Sequence, residues 1–382
     1  MTERDASRSA RSGAGDSWLA GPRARSDRSE HPAGFPAQDG GAQQTGDRAL
    51  SRIPDGRSVA LTGVRTFLGR SLLRLLEEDD HVRRLVVIDS DSPIAAGGKT
   101  RSYIVDRTQP GAPARVAEIL AAESVDTFVH LGFLESPTRN LVSAHELESV
   151  GTLHVLNACR ERPVKKLVLG SSTALYGPHY DNPNFLSEEH PLRGMPATPF
   201  LADKIDAERQ IEAYAREHRS ASVTVLRFAP LLGPTVENFV TRWLTGAVVP
   251  SLLGYDPLLQ FVHEVDALAA LKLSLDRDVA GVFNIVGDGV LPLSTVIKLL
   301  GHTNLPLPHF VARRVAELLW ATGLSAVPPS MLRFLRHLCV ADGERAKREM
   351  GFLPGYTSRE AVLELGAALR LREARLLSEA YA

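Results

Sequence analysis

The chain has 382 residues, of which 44% are apolar and 23% are charged, so it can bury the core of one large or two interleaved domains. Its formal net charge is −1 at pH 7, and the absence of a basic cluster beyond pairs such as Arg313 and Arg314 argues against nucleic acid as the main partner. Cys159 and Cys339 are the only cysteines, which excludes a disulfide framework and a thiolate metal site and favours a reducing, cytoplasmic setting.

Residues 1–55 are predicted to form a disordered tail. They are rich in Gly, Ser, Ala, Asp and Arg, and they have almost no apolar periodicity. Arginines and acids are mixed, and the continuous apolar segment of a signal peptide or membrane anchor is missing. No later stretch reaches the roughly twenty apolar residues that span a bilayer. We expect a dispensable extension, with a docking or regulatory arm as the alternative, and no membrane span.

Residues 59–69 predict a strand, a glycine turn and the start of a helix. Gly63 permits the sharp turn, and Gly69 lets the helix pack close to the strand. The helix N-terminus offers unpaired N–H groups to an anion. The next apolar strand ends at Asp89, whose carboxylate can accept hydrogen bonds from both hydroxyls of an adenosine ribose. This order predicts dinucleotide binding, and the alternative is an ordinary βαβ unit with a tight turn.

Strands and helices continue to alternate up to residue 232. Further strands are predicted at 103–105, 127–131, 166–169 and 223–227, and the helices between them at 116–122, 144–160 and 205–217. This alternation predicts a parallel sheet covered by helices on both faces, a Rossmann-type doubly wound α/β fold. Ligands of such sheets bind beyond the carboxyl ends of the strands.

The pattern changes after Gly233, where mainly helical segments are broken by Pro and Gly. A single strand at 282–286 is expected to return to the sheet. We therefore predict a dinucleotide-binding domain at 56–232, a smaller substrate-binding region at 233–370 and a C-terminal tail at 371–382.

Polar motifs follow the later strands. Ser171, Ser172 and Tyr176 come after the strand at 166–169, and Lys204 and Glu208 share the next helix. Together with the glycine turn, these motifs resemble the NAD-dependent epimerase/dehydratase family of the extended short-chain dehydrogenase/reductase superfamily, which includes UDP-galactose 4-epimerase. The resemblance runs from about residue 57 to 368.

The resemblance implies an NAD-dependent oxidoreductase or epimerase that acts on a nucleotide sugar or a related hydroxylated substrate. Asp106 would contact the adenine, Lys204 the nicotinamide ribose, and Ser172 the substrate oxygen. The alternative roles are capping of the next helix for Asp106 and a solvated helix position for Lys204. The cofactor-binding candidates are Gly63, Arg65, Thr66, Phe67, Leu68, Gly69, Asp89, Asp106, Leu131, Gly132, Ser171 and Lys204. The catalytic candidates are Ser172, Lys204 and Tyr176.

Phe200 departs from the pattern, because the family uses a Tyr-x-x-x-Lys pair. A benzyl ring has no exchangeable proton, and general acid–base catalysis contributes roughly 10²–10⁴ in rate. Thr66 stands where the family has a glycine and would crowd the pyrophosphate unless the loop shifts; Glu148 and Pro230 stand where asparagine is common. The alternative function is therefore a catalytically inactive NAD(P)-binding sensor or scaffold.

Tyr176, His179 and Tyr180 are the candidates to replace the missing phenol, whereas His130 is predicted to be a core histidine. Arg65 would favour the 2′-phosphate of NADP, but an acid at the ribose repels that phosphate, so Asp89 favours NAD. The resemblance also implies a homodimer formed through helices at 141–160 and 201–218.

Overall fold

Seven strands form one parallel sheet in the computed structural model, which describes residues 56–91, 97–195, 198–325 and 327–380. The predicted tail at 1–55 lies outside the described residues. The strands are β1 (Arg57–Thr62), β2 (Val82–Asp89), β3 (Thr100–Ile104), β4 (Thr127–His130), β5 (Lys166–Ser172), β6 (Ser222–Phe228) and β7 (Gly281–Ile285). Their order is β7-β6-β5-β4-β1-β2-β3. Strands β2 and β3 are therefore added on one side of β1 and strands β4 to β7 on the other, so the strand order reverses between β1 and β4. A ligand cleft is expected at that reversal.

Helices cover both faces of the sheet, which confirms the doubly wound α/β fold. They are α1 (Phe67–Glu77), α2 (Ala112–Ala122), α3 (Leu141–His145), α4 (Gly151–Glu161), α5 (Pro199–Glu217), α6 (Phe239–Leu244), α7 (Glu264–Asp276), α8 (Leu293–Leu300), α9 (His309–Thr322) and α10 (Ser358–Ala380). Successive side chains of a strand point to opposite faces. Accordingly, Ala60 packs with α2, α4 and α5, whereas Val59 and Leu61 pack with α1 and α7.

The predicted helix at 144–160 is observed as α3 and α4 joined by a π-helical turn, Glu146–Val150. The inserted residue of such a turn changes which side chains face the sheet. Glu148, inside this turn, is fully buried. The π-helical turn thus directs a carboxylate toward the strand ends.

The region after residue 233 is less purely helical than predicted. β7 joins the sheet beside β6 in parallel, as expected. Short strand pairs also occur, Leu231–Leu232 with Val262–His263, Val248–Leu252 with Thr303–Leu307, and Leu258–Leu259 with Leu291–Pro292. Three of these segments contain proline, which makes a strand difficult to recognise in the sequence.

α10 continues to Ala380, through the position where a separate C-terminal tail is predicted. In the described ranges, no helix combines the length and apolar character needed to cross a membrane.

Candidate functional site

The glycine loop between β1 and α1 allows the close approach that the sequence predicts. Gly63 has φ of +78°, and a Cβ there would lie 2.3 Å from the Leu131 carbonyl. A Cβ on Gly69 would lie 2.0 Å from the carbonyl oxygen of Gly63. Only glycine fits either position. The loop therefore brings the N-terminus of α1 directly over the end of β1.

Thr66 is hydrogen-bonded to both glycines of this turn. Its Oγ1 donates to the Gly63 carbonyl at 2.7 Å and accepts from the Gly69 N–H at 3.0 Å. The hydroxyl thus acts as the N-cap of α1. The Thr66 side chain also lines the cavity described below, and its crowding of a pyrophosphate stays a prediction.

Asp89, at the end of β2, is tied to the glycine loop. Its two carboxylate oxygens accept the N–H groups of Gly63 and Val64, each at 2.9 Å, and the residue is 8% exposed. Each oxygen keeps a second acceptor position that can serve a ribose hydroxyl. Arg65, in the same loop, is exposed and forms an ion pair with Asp91 at 3.4 Å.

Asp106 follows β3 and is exposed. Its carboxylate accepts the N–H and hydroxyl of Thr108 and the side-chain amide of Gln109. The hydrogen bond from the Thr108 hydroxyl is the main cause that lowers the pKa of Asp106. Asp106 therefore closes a turn ahead of α2 and does not cap that helix, whose N-cap is Gly111. Its contact with adenine stays a prediction.

A cavity of about 200 Å³ opens at the carboxyl ends of the strands. Its wall is mostly apolar, and it brings together residues of the glycine loop and of the later motifs. Among the residues on its wall are Thr66, Phe67, Leu68, Leu131, Phe133, Leu134, Glu135, Ser171, Ser172, Phe200, Lys204, Phe228, Asn238 and Met331. Seven of the predicted site residues thus meet at one surface, among them Ser172 and Lys204.

Lys204, in the cavity wall, forms an ion pair with a buried carboxylate. Its ammonium donates to Glu148 Oε1 at 2.7 Å and to the Leu134 carbonyl at 3.0 Å. It also lies 4.7 Å from the ring centre of Phe200 and 5.0 Å from that of Phe133. Burial raises the pKa of Glu148, and the adjacent ammonium opposes that rise. The lysine charge is therefore neutralised inside the cavity wall.

Ser172 has a hydroxyl that is available to a substrate. Its Oγ accepts the N–H of Ala174 at 3.2 Å, and its own proton can still be donated. The neighbouring Ser171 donates instead to Glu208, beneath the cavity wall. Of the two serines, Ser172 is the one suited to hold a substrate oxygen.

Tyr176 is not brought to the cavity. It is fully buried, its hydroxyl donates to Asn284 at 2.8 Å, and it accepts from Arg227 at 2.9 Å. Burial raises its pKa to about 12. This placement counts against a catalytic role, since the hydroxyl already donates and accepts hydrogen bonds within the core.

The two other candidates for proton transfer also lie off the cavity wall. His179 hydrogen-bonds the Gly194 carbonyl, and Tyr180 is exposed. His130 is the core histidine that the sequence predicts, held by Thr62 and Thr152. Burial lowers the pKa of His130 well below its ordinary value, which favours the uncharged ring.

Glu135 is a residue that the sequence did not single out. Its Oε1 accepts the N–H of Phe67, the first residue of α1, at 2.7 Å. Helix N-termini bind anions, and here the anion is the chain's own carboxylate. Although much of the side chain is exposed, desolvation of the carboxylate raises the pKa of Glu135. A signal existed in the sequence, since Glu135 closely follows β4 at the end where ligands bind.

The profile of the NAD-dependent epimerase/dehydratase family matches residues 59–286, more than half of the chain. The chain belongs to this family. An uncharacterized protein of Mycobacterium tuberculosis is 30% identical over 310 residues, which cover 79% of this chain and 81% of the relative. The UDP-glucose 4-epimerase of Corynebacterium glutamicum is 24% identical over 276 residues, covering 65% of this chain and 77% of the relative.

Solved structures share the fold. MoeE5 in complex with UDP-glucuronic acid and NAD superposes with a TM-score of 0.64 at 21% identity, over 82% of this chain and 99% of MoeE5. The dTDP-glucose 4,6-dehydratase DesIV of Streptomyces venezuelae, with NAD bound, gives 0.64 at 18% identity, over 83% of this chain and 98% of DesIV. At these identities the similarity establishes the architecture.

Proposed function

We propose that the protein binds NAD at the glycine loop and exchanges a hydride with a hydroxyl-bearing substrate of the nucleotide-sugar class. The observation that carries this proposal is the shared cavity wall, which places the N-terminal residues of α1 next to Ser172, Phe200 and Lys204. The UDP-glucose 4-epimerases among the relatives support the substrate class. When bound, NAD would supply the hydride acceptor.

The residues present fit a dinucleotide. Gly63 and Gly69 add no side chain at the turn between β1 and α1, and Asp89 retains acceptor positions for ribose hydroxyls. Lys204 would lie along the nicotinamide ribose, and Ser172 would donate its proton to the substrate oxygen. Proton transfer cannot use Phe200, so the native rate is expected to be low.

A second function is favoured by one specific observation, the Lys204–Glu148 contact. A lysine that is neutralised by a buried carboxylate and sits beside a phenylalanine lacks both parts of the family's acid–base pair. These contacts would suit a protein that binds NAD(P) as a sensor or scaffold without turnover. Cofactor binding is common to both functions, and turnover distinguishes them.

The test is a calorimetric titration with NAD, followed by assays of nicotinamide reduction and epimer formation with UDP-glucose and related sugar nucleotides. We expect NAD to bind and turnover to be slow but measurable. Absence of binding to both NAD and NADP would refute the proposal as a whole. NAD binding without any turnover would support the sensor or scaffold instead.

We expect Glu135→Gln to bind NAD about tenfold more tightly than the wild type, because its neutral amide competes for the Phe67 N–H less strongly than the carboxylate, whose charged hydrogen bond is worth roughly 1.5–3 kcal/mol. The cations facing Glu135 are Arg70, Lys204 and Arg242. Since burial raises the pKa of Glu135, wild-type affinity should rise as the pH falls through that raised value, and the variant should lack this rise.

Titration calorimetry across a pH series measures both effects. Glu118→Gln, on the outer side of α2 and paired with Arg115, is the matched control and should leave NAD affinity unchanged. Equal affinities for Glu135→Gln and wild type at every pH would show that this carboxylate does not compete with the coenzyme.

We further propose a homodimer built through α3, α4 and α5 in a reducing, cytoplasmic setting. Leu141, Val142 and Leu153 on the first two of these helices are exposed apolar residues, as an interface requires. The two cysteines are free thiols. Sedimentation analysis tests the dimer.

A further inference from the structure

Arg107 is a buried cation at the carboxyl ends of the strands, in a position that sequence reasoning did not identify. It follows Asp106 in the loop after β3 and is 3% exposed. Its Nη2 donates to the Gly132 carbonyl, after β4, at 3.3 Å. The same nitrogen lies 3.9 Å from Asp89 Oδ1 at the end of β2. The guanidinium therefore lies between β2 and β4, beside the glycine loop.

The guanidinium is poorly satisfied by the protein. Nε and Nη1 are both buried and have no hydrogen-bond partner among the described residues. Burying a charge is costly unless it is paired and hydrogen-bonded, and the 3.9 Å separation from Asp89 is longer than a hydrogen bond. Buried donors left unpaired in a native protein require an explanation, and a missing ligand is one.

Surrounding residues leave room for this side chain. A Cβ on Gly132 would lie 2.4 Å from Nη2 and 2.5 Å from Nη1 of Arg107, so only glycine is compatible with the arginine there. The Arg107 carbonyl is 2.7 Å from the Nδ1 of His154 on α4, which fixes the loop. The loop after β4 and helix α4 therefore both contact Arg107 and fix its position.

The open cavity described above does not reach this position. Its wall includes Ser172 and Lys204 but neither Asp89 nor Arg107. In the proposed function, the cavity takes the nicotinamide and substrate, and the ends of β2 and β3 take the adenosine. Arg107 is the unsatisfied polar group on the adenosine side.

We propose that Arg107 is a cofactor-binding residue that forms, with Asp89, the recognition site for the adenosine ribose. This inference rests on the proposed function. A ribose hydroxyl both donates and accepts hydrogen bonds, so it can donate to the Asp89 carboxylate while it accepts from a free N–H of Arg107. A 2′-phosphate would be attracted by Arg107 and repelled by Asp89. The balance between these two side chains therefore sets the preference between NAD and NADP.

The test is Arg107→Met, with dissociation constants for NAD and NADP measured by calorimetry and the melting temperature measured without coenzyme. We expect NAD affinity to fall about tenfold, as for loss of a charged hydrogen bond, and NADP affinity to fall further. The melting temperature should stay the same or rise, because an uncompensated buried charge is removed. Arg107→Lys keeps the charge and should retain more NADP affinity than Arg107→Met.

Arg115→Met is the matched control, since Arg115 on α2 is exposed and paired with Glu118, and both affinities should remain near those of the wild type. Unchanged affinities in Arg107→Met, with wild type binding NAD, would overturn the inference and leave the proposed function standing. A variant that loses stability together with affinity, without rescue by Arg107→Lys, would show a structural role and also overturn it. A wild type that binds neither coenzyme would overturn both.

Discussion

Glu208→Leu will destabilise the protein by about 3–5 kcal/mol, the cost of breaking a buried ion pair by removing one partner. Glu208 on α5 is 1% exposed and Arg227 on β6 is 2% exposed. The carboxylate accepts from Arg227 Nη2 at 2.7 Å and from Nε at 3.0 Å. Without it, the guanidinium stays buried, and its remaining acceptors among the described residues are the Tyr176 hydroxyl and the Glu188 carbonyl.

Equilibrium unfolding in urea measures the loss. Glu212→Leu is the matched control, one turn further along α5 and exposed, and its effect should stay within about 0.5 kcal/mol. The double variant Glu208→Leu/Arg227→Met should recover part of the loss, since it removes both charges. A loss in Glu208→Leu no larger than that of the control would mean that the pair does not stabilise the fold.

This ion pair illustrates which features could be predicted from the sequence. Arg227 lies in an apolar segment that correctly predicts β6, and Glu208 lies on a predicted helix, so both elements were found. Period-two and helical apolar patterns are local, and they identify buried strands and amphipathic helices directly. The pairing of two charges 19 positions apart depends on how α5 packs on the sheet, and no local pattern encodes it.

The site shows the same division. Gly63, Gly69 and Asp89 were predicted because backbone conformation and strand ends restrict those positions to few residue types. Tyr176 was predicted at the cleft but lies in the core, because a sequence cannot show which way a loop residue turns. The capping role of Thr66 was not predicted, because its hydrogen bonds to Gly63 and Gly69 arise only after the loop folds.

Glu135, Arg107 and the partner of Lys204 were missed for a further reason. Each depends on a contact between segments that are far apart in the sequence. The distance from Glu135 to Phe67 along the chain is 68 residues, and that from Glu148 to Lys204 is 56. Chemistry at the strand ends can be anticipated as a set of candidates, but which side chains neutralise one another is decided by three-dimensional packing.

Restoring the phenol should raise activity in two steps. We expect Phe200→Tyr to increase kcat/KM for a sugar nucleotide by about tenfold, and Phe200→Tyr/Glu148→Asn to increase it by about 10²–10⁴, the range of general acid–base catalysis. The first change supplies an exchangeable proton beside Lys204. The second removes the carboxylate that neutralises the lysine, so that the ammonium can lower the pKa of the phenol.

The readouts are steady-state kinetics with UDP-glucose and NAD and a spectroscopic titration of the introduced phenol, whose pKa should be lower in the double variant. Phe133→Tyr is the matched control, because Phe133 lies 5.0 Å from the same ammonium and also lines the cavity. An equal gain in Phe133→Tyr would show that any phenol near Lys204 suffices. No gain in the double variant despite NAD binding and a lowered phenol pKa would mean that the cavity does not hold this substrate productively, and a sensor or scaffold role would then be favoured.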